Sequence, residues 1–171
     1  QQLQAVRLAL ESDLLREDAS GLACRHDLIR YAVLANLSAS HQQVLHHNAA
    51  LAMAARAEGE AEPLAVAAHW TAAHEPQTAL AWMLRGAVQL KRRGRFEEAR
   101  GLWSRVAQES LDATQALLAR LALAECELLD NLSSGRMALE LILAQVPAVA
   151  DPLQREHIEA QTMSGLVDNL V

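Results

Sequence analysis

Aromatic residues are almost missing from this chain: Phe, Trp and Tyr together make up 3% of its 171 residues. Sheets draw heavily on aromatic and β-branched side chains, so a predominantly β fold is not expected. Cysteine is scarce too. Cys24 and Cys126 lie far apart and match no metal or redox spacing, so the expectation is buried thiols in a reducing compartment and no disulfide. Positive charge is in deficit. A formal net charge of -6 gives no overall attraction to nucleic acid or to an anionic membrane. No apolar run approaches the roughly 20 residues needed to cross a bilayer, and no charged-then-apolar signal segment opens the chain. The expected setting is therefore soluble and cytoplasmic. The chain opens at Gln1-Gln2 without Met and ends in an apolar pattern at Leu170-Val171, as a part of a longer polypeptide would.

What the chain does have is Ala and Leu, which dominate its 51% hydrophobic content and are among the best helix formers. Such a composition predicts an all-α fold with helices packed closely through small side chains. Leu3, Val6, Leu10 and Leu14 recur at helical spacing, as do Leu28, Ile29, Ala32, Val33 and Leu37. Between them Glu17-Asp18-Ala19-Ser20-Gly21 is a turn cluster, so a small β-hairpin is expected with arms Leu14 to Arg16 and Leu22 to Arg25. Ser38 or Ser40 can cap a helix running to about Arg56, with Gly59 as its end. Glu62-Pro63, Glu75-Pro76 and Asp151-Pro152 each open another helix, because proline is tolerated in a first turn, where its missing N–H has no helical partner to lose. Asp112 with Gln115 reads as a capping box for a helix reaching about Asp130, and Ser133 or Ser134 as the start of the next. About eight helices joined by short loops are expected, the pattern of stacked antiparallel hairpins.

Ala87, Leu90, Gly94, Phe96, Ala99 and Trp103 reproduce the small-and-large order of a tetratricopeptide repeat, so Ala79 to Val106 resembles one hairpin of that family. Ala87 and Ala99 would be the close-contact points, Gly94 the turn, and Phe96 and Trp103 the fillers towards the next hairpin. A weaker hairpin follows, with Cys126 and Ala138 as the close-contact pair and Leu129 and Ile142 as fillers. Ala99 to Ala138 exceeds the standard 34-residue period by about five.

Residues 14 to 110 carry a broader likeness. Arg25-His26-Asp27-Leu28-Ile29-Arg30-Tyr31-Ala32-Val33, Leu37-Ser38 and Leu45-His46, then Ala68-His69-Trp70, Ala73, Pro76, Ala79-Leu80, Trp82 and Leu84-Arg85, resemble STAND-type bacterial ATPase regulators of the LuxR, maltose-activator and antibiotic-regulatory-protein kinds. The resemblance implies an upstream P-loop ATPase, a winged helix whose tail is residues 1–25 and whose wing is the hairpin near Gly21, linking helices over 26–74, and tetratricopeptide-like repeats over 75–171 that sense a partner or inducer. No P-loop pattern lies in this chain, so ATP is expected only in an upstream domain and no cofactor here.

The family's repeat geometry implies a concave surface lined by Ala81, Leu84, Val88, Lys91 and Arg92, then by Arg120, Leu123, Glu127, Asp130 and Asn131. Its mixed character suits a protein or peptide partner, with a small inducer or self-association as further routes. Seven of the fifteen basic residues, Arg85, Lys91, Arg92, Arg93, Arg95, Arg100 and Arg105, fall in this one hairpin. They can form a groove for an acidic peptide, but helix C-terminal charge on a solvated face is the stronger expectation. His41, His46 and His47, with His69 and His74, invite a metal. Spacings of five residues point them in divergent directions, so hydrogen bonding is expected and not ligation. His26-Asp27 diverge likewise and read as a cap or structural hydrogen bond. No Ser-His-Asp or Cys-His arrangement appears, so no catalytic role is expected for this chain.

Overall fold

The computed structural model describes residues 2–18, 21–56 and 62–168. Among them are nine α-helices and one two-stranded antiparallel sheet, an all-α fold with a small hairpin near the N-terminus. The helices are α1 (Gln2–Glu11), α2 (Asp27–Asn36), α3 (Ala39–Ala54), α4 (Pro63–Ala72), α5 (Pro76–Arg92), α6 (Phe96–Glu109), α7 (Ala113–Asp130), α8 (Leu132–Leu143) and α9 (Pro152–Val167). A single 3-10 turn, Val146–Ala148, lies between α8 and α9. No described helix is long and apolar enough to cross a membrane.

Contacts divide the chain into two compact units, 1–45 and 46–171, with the boundary inside α3. The segment 26–74 therefore contributes to both units.

In the first unit, β1 (Leu15–Asp18) pairs with β2 (Gly21–Cys24) in the register Leu15 to Cys24. The expected hairpin is present, but Glu17, Asp18 and Gly21, expected in the turn, pair in the strands, since an antiparallel ladder continues as far as its backbone groups can pair; the expected turn residues Ala19 and Ser20 lie outside the described residues. Ser38 accepts from the His41 amide at 3.3 Å and so caps α3. His26 precedes α2 with no side-chain cap bond, and Asp27 pairs instead with Arg30 at 3.4 Å. None of the described residues in this unit is fully buried, although it carries exposed Leu3, Leu28, Tyr31 and Val33.

In the second unit each helix packs on the one before it: α4 on α5, α5 on α6, α6 on α7 and α7 on α8. The three Glu-Pro and Asp-Pro steps open α4, α5 and α9 as their residues require. Asp112 caps α7 by accepting from the Thr114 and Gln115 amides at 2.8 and 3.2 Å, and the Gln115 side chain returns a bond to the same carboxylate at 3.1 Å. The start of α8 is a correction: Asn131, not Ser133 or Ser134, caps it by accepting from the Ser134 amide at 3.2 Å. Asn131 is a competent cap, and it leaves both serines inside the helix. The expected stop at Gly59 lies outside the described residues.

The first core joins Ala50, Val66, Trp70, Leu80, Ala87, Leu90, Ala99, Trp103 and Val106 to Ala119 and Cys126 of α7. The second joins Leu117, Leu121 and Ala124 of α7 to Leu139, Ile142, Val146, Val149 and Ile158. Helix α7 thus gives one face to each core. Ala87 and Ala99 are fully buried, and Gly94 turns the chain at φ 77, a region costly to residues with a Cβ. Phe96 departs from expectation: as the first residue of α6 it sits at the edge of the helix pair, 52% exposed, and Trp103 alone fills the interior. Leu129 likewise is 86% exposed, near the end of α7. The close approach of α7 and α8 falls at Gly135 against the Leu128 backbone, where the missing Cβ permits it, while Ala138 is only half buried.

Candidate functional site

Helices α5 and α7 are the first helices of two successive hairpins, and with α9, which follows the second hairpin, they share a cleft of about 430 Å³. From α5 come Leu84, Val88, Lys91 and Arg92; from α7, Leu118, Leu121, Ala122 and Glu125; from α9, His157 and Gln161, with Trp103 of α6 completing the wall. The predicted surface residues divide between this cleft and other places. Leu84, Val88, Lys91 and Arg92 line it, and Ala81 lies about one turn earlier on α5, half buried and outside it. Arg120, Leu123 and Glu127 line a separate cleft of about 250 Å³ between α7 and α8, with Ala138, Leu141 and Ile142. Asp130 is held by Arg100 at 2.6 Å, and Asn131 is spent on the α8 cap.

The division follows from the repeat step. Lys91 Nζ meets Glu125 at 2.8 Å, and the Leu111 amide donates to Gln77 Oε1 at 2.8 Å, each across 34 positions. Leu84, Val88 and Lys91 therefore correspond to Leu118, Ala122 and Glu125, which were not singled out from sequence. Two positions along a helix turn the face by roughly 200°, so Arg120 and Glu127 look towards α8 instead. The 39-residue interval came from taking Ala138 as the close-contact residue of α8, a place that Gly135 fills instead. Adding 34 to the α5 residues alone would have found the α7 wall.

The basic concentration is largely neutralised from within. Arg85 stacks over Trp82 at 4.5 Å, and Lys91 is paired with Glu125. Arg93 meets Glu62 at 3.0 Å, Arg95 meets Glu98, Arg100 meets Asp130 and Arg105 meets Glu109 at 3.0 Å. Each pair is exposed or half-exposed and worth at most about 1 kcal/mol; Lys91–Glu125, Arg93–Glu62 and Arg100–Asp130 join different segments, whereas Arg95–Glu98 and Arg105–Glu109 are local to α6. Arg92 alone of the seven makes no ion pair or ring contact among the described residues.

The histidines pair in the second unit. His46 Nδ1 and His69 Nδ1 are 2.9 Å apart, one donating and one accepting, and His47 Nδ1 meets Glu75 at 2.6 Å while its ring stands edge-on to Trp70. His41 bonds Ser38 in the first unit, and His74 takes a positive φ of 61 at the α4–α5 turn. No group of three or more His, Cys, Asp or Glu side chains among the described residues could hold a metal ion. Cys126 is buried and unbridged, and desolvation pushes its thiol above the ordinary range.

Burial, then the charge of His46, lowers the His69 pKa from its ordinary 6.5. A base whose folded pKa is depressed favours folding while neutral, so its stabilisation is present above pH 6.5 and is lost as pH falls through the folded value. The expected result is a urea midpoint that declines on acidification below about pH 6.5, and declines less in His69→Gln. Equal acid slopes in the two proteins would contradict it.

No family model matches the chain, and no curated protein or solved structure matches it either.

Proposed function

We propose that this chain is the helical sensor segment of a multidomain, cytoplasmic bacterial signalling or transcription regulator. It binds a partner or inducer and relays that event to an ATPase and an output domain elsewhere in the polypeptide; it performs no catalysis itself. The observation that carries the reading is the cleft shared by the first helices of two successive hairpins and the helix that follows them. An occupant there touches α5, α7 and α9 together, so binding favours one spacing of the hairpins over others. In a repeat array, where each unit contacts mainly its neighbours, such a bias travels along the superhelix. The residue likeness over 14–110 supplies the context of an upstream ATPase.

The internal pairing of the basic residues argues against a broad groove for an acidic peptide, since an incoming acidic chain would have to displace Glu125, Glu62 and Asp130 from their partners. A cleft of about 430 Å³ falls within the range of small-molecule sites, which favours an inducer. The test is the full reading frame: a P-loop ATPase module encoded ahead of residue 1 is the expected result. A polypeptide made only of helical repeats would replace this reading with that of a stand-alone adaptor.

A further inference from the structure

We infer that the cleft between α5, α7 and α9 is a site for a medium-chain amphiphilic carboxylate, with Arg92 as its counter-ion and the leucine-rich walls around its chain. The inference rests on the sensor reading above and names the class of inducer. Three features select this class. The walls are mainly apolar, with Leu84, Val88, Leu118 and Ala122 among their residues and Val88 40% exposed, so the interior rewards a hydrocarbon body. The charges lining it do not balance: Glu125 is already matched by Lys91 at 2.8 Å, which leaves the exposed Arg92 without an ion-pair partner among the described residues. His157 adds a ring that can donate to an anion.

Volume sets the scale of the part held inside. At roughly 30 Å³ for each water-sized group, about 430 Å³ holds about 14 heavy atoms, the size of a carboxylate with a ten- to twelve-carbon chain. A neutral alkane of the same length would fill the walls but leave Arg92 unmatched.

The probe is decanoate, titrated calorimetrically into the 171-residue chain below its micelle-forming concentration. The expected result is saturable binding of one equivalent, weakened about tenfold or more by Arg92→Ala, because a charge-assisted contact is lost, and largely kept by Arg92→Lys. Val88→Glu, which places a carboxylate on the exposed part of the wall, is expected to abolish binding. Arg136→Ala, on α8 and outside the cleft, is expected to leave it unchanged. Absence of saturable binding, several equivalents bound alike by all variants, or decanol binding as tightly as decanoate would each overturn the ligand class. Failure of these titrations together with an upstream ATPase module removes the carboxylate and leaves the sensor reading. Specific decanoate binding to a protein without that module has the reverse meaning for the sensor reading, and the site itself then stands.

Discussion

Trp103→Ala is expected to lower the stability of the helical repeat by about 3–5 kcal/mol, the range for emptying a large aromatic from a packed core. The indole is 1% exposed and packs in the cluster that joins Ala87, Leu90, Ala99 and Val106 to Ala119 and Cys126 of α7. It therefore lies in a core that spans two successive hairpins. Its removal opens a void between them, because the neighbouring small residues cannot collapse to fill it. A domain has only about 5–15 kcal/mol in hand, so a loss of this size should be visible as a large fall in the urea midpoint. Trp103→Phe is a sharper companion. It removes a buried N–H that has no protein acceptor and keeps a ring, so the cost should be well under half that of alanine. A change below about 1 kcal/mol for Trp103→Ala would mean that the indole does not join the two hairpins.

The elements were legible wherever a local rule decides them. Proline at the first turn marked α4, α5 and α9, and Asp112 marked α7, because caps and prolines act on neighbouring backbone groups and need no tertiary context. The β-hairpin was legible in place but not in its bounds, because Glu17, Asp18 and Gly21 of the expected turn cluster pair in the strands. The candidate site was legible on α5 and not on α7. Placing a surface on one helix requires only its period, whereas relating two helices requires the repeat step between them. That step was drawn from Ala99 and Ala138, which are 39 positions apart, while the contacts Lys91–Glu125 and Gln77–Leu111 each span 34. The error of a few residues moved the expected wall to the side of α7 that faces α8. Arg120, Leu123 and Glu127 thus line a different cleft from Leu84 and Val88. The fate of the arginines was not legible either, since their acidic partners at Glu62, Glu125 and Asp130 lie about 30 positions away.

Gly101 and Gly135 look alike in the sequence, each a glycine inside a helix, and they are expected to respond to alanine with opposite signs. In an exposed helix interior, glycine to alanine gains about 1 kcal/mol, because alanine has less backbone freedom to lose. A Cβ on Gly101 meets nothing within 4 Å, so Gly101→Ala should raise the stability of the repeat by about 0.5–1 kcal/mol. A Cβ on Gly135 would lie 2.5 Å from the Leu128 amide nitrogen and 2.7 Å from its Cα. Those atoms are backbone in the middle of α7's last turns, so no rotamer change relieves the overlap. Helices α7 and α8 must separate, and the separation loosens Leu139 and Ile142 in the core they share with Leu117 and Leu121. Overpacking of this kind costs about 1–3 kcal/mol or somewhat more, which exceeds the propensity gain. Gly135→Ala should therefore destabilise by about 1–2 kcal/mol net, and Gly135→Val by more, since the branched side chain adds volume where none is available. The measurement is the urea midpoint of both alanine variants in one buffer. Stabilisation by Gly135→Ala comparable to that by Gly101→Ala would show that α7 and α8 are not in backbone contact at this point, and with it the geometry that turns the Arg120 face of α7 towards α8 would fail.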